Sequence, residues 1–195
     1  MPFHLLKPAL TGQVTVNDFL SGDECRAIIE GGERALGLHA GATGDGRGGI
    51  RQSDIGWFSP EGEHQWLFKR IRDCVNDINR DWFGFNLLAF EGIQFTKYSG
   101  GSKNAGGDYY GAHKDTSLAP GKTIRKLSFT IQLCPSDTYD GGDVILYDSF
   151  SDLTTLNRRI GSISFFPSFT IHEVTPVTKG TRYSLVGWAC GPSFV

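Results

Sequence analysis

The sequence has little of what marks exported, membrane-bound or nucleic-acid-binding proteins. Residues 1–20 contain no long apolar run, no basic start and no small-residue cleavage pattern, so they predict neither a signal peptide nor a membrane anchor. The net charge of −2 and the pI of about 6.2 provide no excess positive charge to attract phosphate backbones or anionic lipid. We therefore expect no nucleic-acid partner, no membrane partner and a cytoplasmic location.

Cysteine is also scarce. The four cysteines, at positions 25, 74, 134 and 190, lie far apart and include no C-x-x-C pair. This spacing gives no sign of a zinc or redox centre, and it predicts buried free thiols in a reducing compartment.

What the chain does contain is typical of a globular protein, with 39% apolar, 12% aromatic and 21% charged residues. A length of 195 residues favours a single domain over residues 1–195, and no repeat or linker divides it. The sequence leaves the oligomeric state open.

Helical patterns are confined to the N-terminal part, about residues 1–86. Ser21 and Glu24 have the spacing of a capping box, which predicts a helix from residue 22 to about 36. A second apolar stripe predicts a helix from Glu63 to about Trp82. Its predicted inward face consists of Trp66, Ile71, Val75 and Ile78.

From about residue 87 the apolar pattern changes to short runs separated by glycine and proline, which is typical of strands. The predicted strands are Leu87–Tyr98, Lys126–Cys134, Val144–Tyr147, Gly161–Phe166, Ile171–Val177 and Arg182–Ala189. Two helices followed by short antiparallel strands predict an α+β fold, with a jelly-roll core over about residues 87–190 and helices packed outside it.

One short motif points to a metal. His113 and Asp115 are two residues apart, so on an extended segment both side chains project to the same side. Two histidines and one carboxylate are the set that binds non-haem Fe(II) on one face and leaves the other positions open. Taken alone, the motif also fits a loop histidine beside a solvated aspartate.

The second histidine of such a set is found far downstream. His172 lies among apolar residues of a predicted strand, and a barrel can bring that strand beside His113. Glu173 points to the opposite face of the strand and is a worse ligand candidate than Asp115. Without the rest of the pattern, His172 would be interpreted as a core histidine bonded to a backbone carbonyl.

A candidate anion-binding residue follows. Arg182 begins a predicted strand ten residues after His172, and a guanidinium there can grip a dicarboxylate through two parallel hydrogen bonds. Ser184, two residues on, lies on the same face and offers a further donor. Taken in isolation, Arg182 is also compatible with a surface position.

Together these motifs resemble the 2-oxoglutarate/Fe(II)-dependent dioxygenases, particularly their prolyl 4-hydroxylase-like branch. The matching features are His113-x-Asp115, His172 with Val174, Pro176, Val177, Gly180 and Arg182 behind it, the run Lys126–Leu133, the turn Asp140–Asp143, and Tyr98 followed by Gly100. The resemblance covers about residues 88–190 and extends only loosely into the N-terminal part.

The resemblance implies a double-stranded β-helix and a reaction that uses Fe(II), 2-oxoglutarate and O₂. It implies that His113, Asp115 and His172 bind the iron as the catalytic centre. It further implies that Arg182 binds the distal carboxylate of 2-oxoglutarate, with Ser184, Tyr98 and Thr130 as the other cosubstrate-binding candidates. A need for ascorbate stays open.

The resemblance also implies a substrate class. The expected reaction is hydroxylation of an aliphatic carbon, either of a prolyl residue in a peptide or protein or of a free amino acid or other small molecule. Because Asp115 is present, hydroxylation is favoured over halogenation; desaturation, epoxidation and ring formation stay open. The candidate substrate residues are Tyr110, Arg51 and Trp188, with Phe95 and Phe129 as further pocket walls. The candidate lids are Gly41–Gly49, Arg51–Asp54 and Ser99–Gly107.

Two other functions are compatible with parts of the pattern. A non-catalytic, cupin-like metal-binding module would keep the metal ligands but would not need Arg182 in a 2-oxoglutarate pocket. A zinc- or manganese-dependent isomerase would be expected to use more histidines or another carboxylate, and the sequence offers no evident fourth ligand.

Overall fold

The structure is a computed structural model that describes residues 12–38, 50–101, 106–116, 123–147 and 152–193. The helices are α1 (Gly22–Leu38) and α2 (Gln65–Ile78), and α2 is preceded by a 3₁₀ turn (Gly62–His64) and followed by a π-helical turn (Asn79–Phe83). The strands are β1 (Val14–Val16), β2 (Arg51–Gln52), β3 (Asp54–Phe58), β4 (Ala89–Phe90), β5 (Ile93–Ser99), β6 (Tyr109–His113), β7 (Ile124–Gln132), β8 (Tyr139–Gly141), β9 (Val144–Tyr147), β10 (Leu153–Thr155), β11 (Ile163–Pro167), β12 (Ile171–Val174) and β13 (Val177–Gly191).

The strands form two antiparallel sheets. The larger sheet has eight strands in the order β1-β11-β7-β13-β5-β3, with β4 and β8 also paired to β13. The smaller sheet has five strands in the order β10-β9-β12-β6-β2. The long strand β13 pairs with four neighbours, so it aligns most of the larger sheet.

Each strand of the larger sheet turns alternate residues toward two separate cores. One face packs against the helices: Phe95, Phe129 and Leu185 of the sheet cluster with Ile28 of α1 and Ile71 of α2. The other face turns toward the smaller sheet and meets a second apolar cluster there. The prediction of an α+β fold with the N-terminal helices on one sheet is therefore confirmed.

The capping box that opens α1 forms as predicted. The backbone N–H of Ser21 donates to the Glu24 carboxylate at 2.8 Å, and the Glu24 N–H donates to the Ser21 hydroxyl at 3.2 Å. The inward face of α2 differs from the prediction in one residue. Leu67 is fully buried, whereas the neighbouring Trp66 is 37% exposed. The helical repeat determines which residues are buried. One face carries Leu67, Ile71, Val75 and Ile78, and Trp66 lies beside that face.

The predicted strands are found with shifted ends. The predicted strand Leu87–Tyr98 is two strands, β4 and β5, because the chain leaves the extended ladder at Glu91 and Gly92. The predicted strand Arg182–Ala189 is the centre of the longer β13. The short strands β1, β2, β3, β6, β8 and β10 are not among the predicted strands, since two to five residues carry too little pattern to be recognised.

The N-terminal part is more than a helical layer. β1 pairs with β11, and β3 pairs with β5, so residues before 87 complete both edges of the larger sheet. Arg51–Asp54, predicted to be part of a lid, instead contains β2 and the start of β3. The predicted lid Gly41–Gly49 and residues 102–105 of the predicted lid Ser99–Gly107 lie outside the described residues.

The four cysteines are free, as predicted, and three of them are buried while Cys74 is half-buried. Burial raises the pKa of the Cys25 and Cys74 thiols to about 11, so both stay protonated and unreactive at neutral pH.

A polar contact joins α1 to the larger sheet. Glu33 accepts hydrogen bonds from the Lys97 ammonium at 2.8 Å and from the Tyr183 hydroxyl at 2.7 Å. Burial on its own raises the pKa of Glu33, but these two hydrogen bonds outweigh it and hold the pKa below the ordinary value of 4.5.

We expect Glu33→Gln to lower the free energy of unfolding at pH 7 by about 1 kcal/mol, a modest loss because the carboxylate is 38% exposed. A lowered folded-state pKa stabilises the fold fully above pH 4.5, and this stabilisation disappears as the pH falls through the folded-state value. Urea unfolding across that range measures the difference, with the exposed Glu30→Gln on the same helix as the control. A pH-independent difference would contradict this explanation.

Candidate active site

The candidate site lies between the two sheets, where β6 and β12 run side by side. In this antiparallel pair His113 and His172 stand directly opposite each other. Asp115 follows the end of β6 and returns toward both of them. The predicted approach of the two distant motifs is thus produced by a single strand pairing.

Three ligand atoms converge there. The Nε2 atoms of His113 and His172 each lie 3.6 Å from an oxygen of the Asp115 carboxylate. The ligand atoms of the three residues all lie within 4.8 Å of one another, and all three side chains are largely buried. This is the only such cluster of histidine, cysteine and carboxylate ligands among the described residues. Glu173 turns away, as predicted, and accepts a hydrogen bond from Tyr147 at 2.8 Å.

Each imidazole is oriented by the backbone two residues before it. Nδ1 of His113 lies 2.8 Å from the Gly111 carbonyl, and Nδ1 of His172 lies 3.0 Å from the Thr170 carbonyl. A carbonyl accepts only from a protonated nitrogen, so these contacts place the N–H on Nδ1 and the lone pair on Nε2, toward Asp115. Burial and the neighbouring His172 lower the pKa of His113 to about 4, which keeps it neutral. Two neutral imidazoles and a carboxylate fit Fe(II).

The Asp115 carboxylate is held by a serine pair. The Ser128 hydroxyl on β7 donates to Asp115 at 2.7 Å, and its oxygen lies 2.8 Å from the Ser168 hydroxyl. The backbone N–H of Asp115 also donates to the Ser168 carbonyl at 3.0 Å. The carboxylate therefore has a fixed direction before any ion binds, because both its side chain and its backbone are hydrogen-bonded.

A cavity of about 310 Å³ opens beside the three residues, at the lower end of the range for small-molecule sites. Both sheets contribute to its wall. The lining residues used below are Arg51, Gln94, Thr96, Tyr98, Tyr110, His113, Asp115, Arg125, Thr130, His172, Arg182, Ser184 and Trp188.

Arg182 lines this cavity and is 3% exposed. Its guanidinium donates to the Ser184 hydroxyl at 3.3 Å and lies 5.6 Å from the centre of the Tyr98 ring. No carboxylate of the described residues lies within ion-pair distance of it. A buried guanidinium without a counter-charge is costly, so the cavity is prepared for an anion at this point.

A second unsatisfied group lies on the neighbouring strand. The Thr96 hydroxyl is buried and has no hydrogen-bond partner, and Thr96 stands opposite Ser184 in the β5–β13 ladder. Arg182, Ser184 and Thr96 therefore offer adjacent polar groups to one ligand. This set fits the carboxylate of 2-oxoglutarate.

The sequence-predicted residues mostly come together in this cavity. Tyr98, Thr130 and Ser184 line it with Arg182, and the substrate candidates Arg51, Tyr110 and Trp188 line it as well. Phe129 reaches the wall, although its ring also stacks on Phe90 in the helix-side core. Phe95 is not part of the wall; it packs among the helices, since it alternates with Gln94 and Thr96 on β5.

The polar site residues missed by the sequence analysis include Gln94, Thr96, Arg125 and Ser128. The first two share the face of β5 that carries Tyr98, and Ser128 shares the face of β7 that carries Thr130, so strand alternation could have found them. Strict alternation along β7 assigns Arg125 to the other face, but a register shift between Ala189 and Cys190 sets it opposite Cys190, on the face that carries Trp188. Arg125 reaches the cavity by stacking on the Trp188 ring at 3.7 Å while it pairs with Glu91.

The model of the 2OG-Fe(II) oxygenase superfamily matches residues 93–190. The chain belongs to this superfamily. It is 38% identical over 176 residues to a PKHD-type hydroxylase of Idiomarina loihiensis, a match that covers 89% of this chain and 75% of that protein. Further PKHD-type hydroxylases match over shorter segments that cover 38–39% of their length.

Solved structures with the same fold include a Pseudomonas putida prolyl-4-hydroxylase, with a TM-score of 0.72 and 23% identity over 93% of this chain and 94% of that one. A Trichoplax adhaerens prolyl hydroxylase in complex with a hypoxia inducible factor peptide fragment has a TM-score of 0.68 and 18% identity over 91% of this chain and 83% of that one. The prediction of a double-stranded β-helix fold is confirmed, since the fold matches that of these prolyl hydroxylases.

Family membership sets the chemistry of this superfamily member. It is a 2-oxoglutarate-dependent hydroxylase, and its cofactor and cosubstrate are Fe(II) and 2-oxoglutarate. These matches support the enzyme rather than the non-catalytic metal-binding module. In the described part of the chain, no helix is both long and apolar enough to cross a membrane.

We expect Ser128→Ala to weaken metal binding about tenfold to a hundredfold, because the Asp115 carboxylate loses the hydroxyl that directs it. Titration of the purified protein with Mn(II), followed by electron paramagnetic resonance, measures the dissociation constant. Ser164→Ala provides the control, since Ser164 is equally buried in the larger sheet but bonds to Thr15 instead. Equal losses in the two variants would mean that only the sheet had been disturbed.

Proposed function

We propose that this hydroxylase acts on an aliphatic carbon of a prolyl residue in a peptide or protein, or of a free amino acid, and that His113, Asp115 and His172 hold its iron. One observation carries the assignment of roles: the convergent triad and the unpaired, buried Arg182 line the same cavity. A metal-binding module without turnover has no use for a buried cation at that place.

Different residues of the cavity would bind the two ends of 2-oxoglutarate. Arg182 would bind the distal carboxylate of 2-oxoglutarate in a two-bond fork, while Ser184, Thr96 and Thr130 supply hydroxyl donors along its length. The 2-oxo acid end would then face the triad, which lines the same cavity. Tyr98 packs under the guanidinium and limits its movement, which lowers the entropic cost of ordering the cosubstrate.

When Fe(II) is bound, it supplies the activation of O₂ that couples oxidative decarboxylation of 2-oxoglutarate to C–H hydroxylation. The overall balance is 2-oxoglutarate, O₂ and R–H to succinate, CO₂ and R–OH. The protein contributes orientation and exclusion of water: Trp188 is largely buried at the wall, and the backbone carbonyls of Gly111 and Thr170 keep both histidines in the ligand tautomer.

The relatives named above suggest the substrate class. The Trichoplax enzyme holds a peptide fragment, and the Pseudomonas enzyme is named a prolyl-4-hydroxylase. We further propose one domain over residues 1–195 and a cytoplasmic location, which suits four free cysteines.

The deciding experiment measures succinate formation from 2-oxoglutarate by the purified, Fe(II)-loaded protein under air, with and without ascorbate. Proline-containing peptides and a panel of free amino acids are added in turn, and hydroxylated products are identified by mass spectrometry. Succinate formation that rises with a substrate and matches the hydroxylated product supports the proposal. Absence of both 2-oxoglutarate binding and turnover would contradict it.

Replacing His113, Asp115 or His172 by Ala should each abolish iron-dependent succinate formation, because two ligands cannot hold the ion with the required geometry. The matched control is Glu173→Gln, since Glu173 neighbours His172 but faces away from the cavity. Turnover retained in any of the three variants would remove that residue from the metal centre.

Arg182→Met should raise the KM for 2-oxoglutarate by about tenfold to a hundredfold, as expected for loss of a charge-assisted pair. The metal affinity should stay unchanged, because Arg182 is not among the converging ligands. Arg159→Met, which removes an exposed arginine paired with Asp18, is the control. An unchanged KM in Arg182→Met would remove Arg182 from the 2-oxoglutarate site.

A further inference from the structure

The cavity contains an arginine whose charge is matched neither by 2-oxoglutarate nor by a carboxylate of the described residues. Three arginines line it: Arg51, Arg125 and Arg182. Arg125 is neutralised by Glu91, whose two oxygens accept from it at 2.9 and 2.7 Å. Arg182 is assigned to the distal carboxylate of 2-oxoglutarate. No carboxylate of the described residues lies within ion-pair distance of Arg51, so its charge has no counterpart there.

Arg51 is nevertheless held in place. Its Nε donates to the Ser53 hydroxyl at 2.8 Å, and its Nη2 donates to the Gln94 side-chain oxygen at 3.0 Å. The guanidinium also lies over the Tyr110 ring, 4.7 Å from its centre. Because β2 belongs to the smaller sheet and β5 to the larger one, the contact with Gln94 connects the two walls of the cavity.

All three of these partners are uncharged. Gln94 is 4% exposed and supplies a hydrogen bond at the place where a glutamate of the same shape would supply a counter-charge. Among the described residues, these contacts use two of the five N–H donors of the guanidinium and leave three for a ligand. A fixed, unneutralised guanidinium with free donors is a carboxylate-binding group.

The Arg51 guanidinium lies close to the reaction centre. The Tyr110 ring lies between the guanidinium and the imidazole of His113, and it stacks on that imidazole with 3.5 Å between ring centres. One aromatic ring thus separates the cation from a candidate iron ligand. A group bound to Arg51 therefore lies in the same part of the cavity as the reaction centre.

We propose that Arg51 binds a carboxylate of the primary substrate, and that the absence of charge at Gln94 keeps Arg51 available for it. The proposal rests on the proposed function and narrows its substrate class. The carboxylate belongs to a free amino acid, to the C-terminal residue of a peptide or to an acidic side chain beside the reacting residue. Arg51 would then select anionic substrates over neutral ones of the same shape.

The test uses the Fe(II)-loaded enzyme with saturating 2-oxoglutarate and substrate pairs that differ only in charge. The pairs are L-proline and L-prolinamide, Gly-Pro and its amide, and N-acetylated, C-terminally amidated peptides in which Glu or Gln flanks Pro. Stimulated succinate formation gives KM for each member. Calorimetry of the anaerobic Mn(II)-loaded enzyme with 2-oxoglutarate gives the binding constants without turnover.

Two variants remove the unneutralised charge of Arg51 in different ways. Arg51→Gln deletes the cation, whereas Gln94→Glu keeps it and places a counter-charge 3.0 Å away in the native hydrogen bond. Arg51→Lys retains the charge but loses the planar fork, so it should fall between the wild type and Arg51→Gln. The binding constant of 2-oxoglutarate in each variant shows whether the cosubstrate site remains intact.

We expect the carboxylate member of at least one pair to bind about tenfold or more tightly than its neutral partner, and this preference to be lost in both Arg51→Gln and Gln94→Glu. The responsive pair identifies the source of the carboxylate. Equal binding within every pair, a preference that persists in both variants, or no response to any member by an enzyme that binds 2-oxoglutarate would each overturn the proposal. Failure to bind 2-oxoglutarate at all would instead refute the proposed function.

Discussion

The pairing of β6 with β12 is the contact on which the rest of the site depends. These strands lie about sixty residues apart in the chain, and their antiparallel register sets His113 directly opposite His172. A slip of one residue would turn either imidazole to the other face of the sheet, away from Asp115. The surrounding fold holds this register, since β9 and β2 flank the pair on either side in the smaller sheet.

The larger sheet has the complementary task of closing the cavity. Its strands alternate between two environments, so Phe95 and Leu185 bind the helices while Thr96 and Ser184 face the smaller sheet. The helices therefore contribute no side chain to the cavity wall. They pack on the opposite face of the sheet and so support the face that lines the cavity.

The elements that could be predicted from the sequence were those with a strong local signal. Ser21 and Glu24 identified the start of α1, and the spacing of His113 and Asp115 was enough to place both on one side. The misplacement of Trp66 arose because an aromatic residue beside an apolar stripe looks like part of it, whereas only the packed helix reveals which side faces the sheet. Arg125 was missed for a related reason: its position depends on Trp188 and Glu91, which are distant in sequence.

The way the two histidines are oriented has a consequence for how this enzyme can change over time. Each imidazole takes its direction from a carbonyl two residues earlier on the same stretch of chain, at Gly111 and at Thr170. The tautomer of both imidazoles is thus set within two short peptides, by backbone carbonyls that no side-chain substitution removes. Mutations that reshape the remainder of the cavity can accumulate without disturbing these two ligands. The same centre can therefore be inherited by enzymes of widely different selectivity.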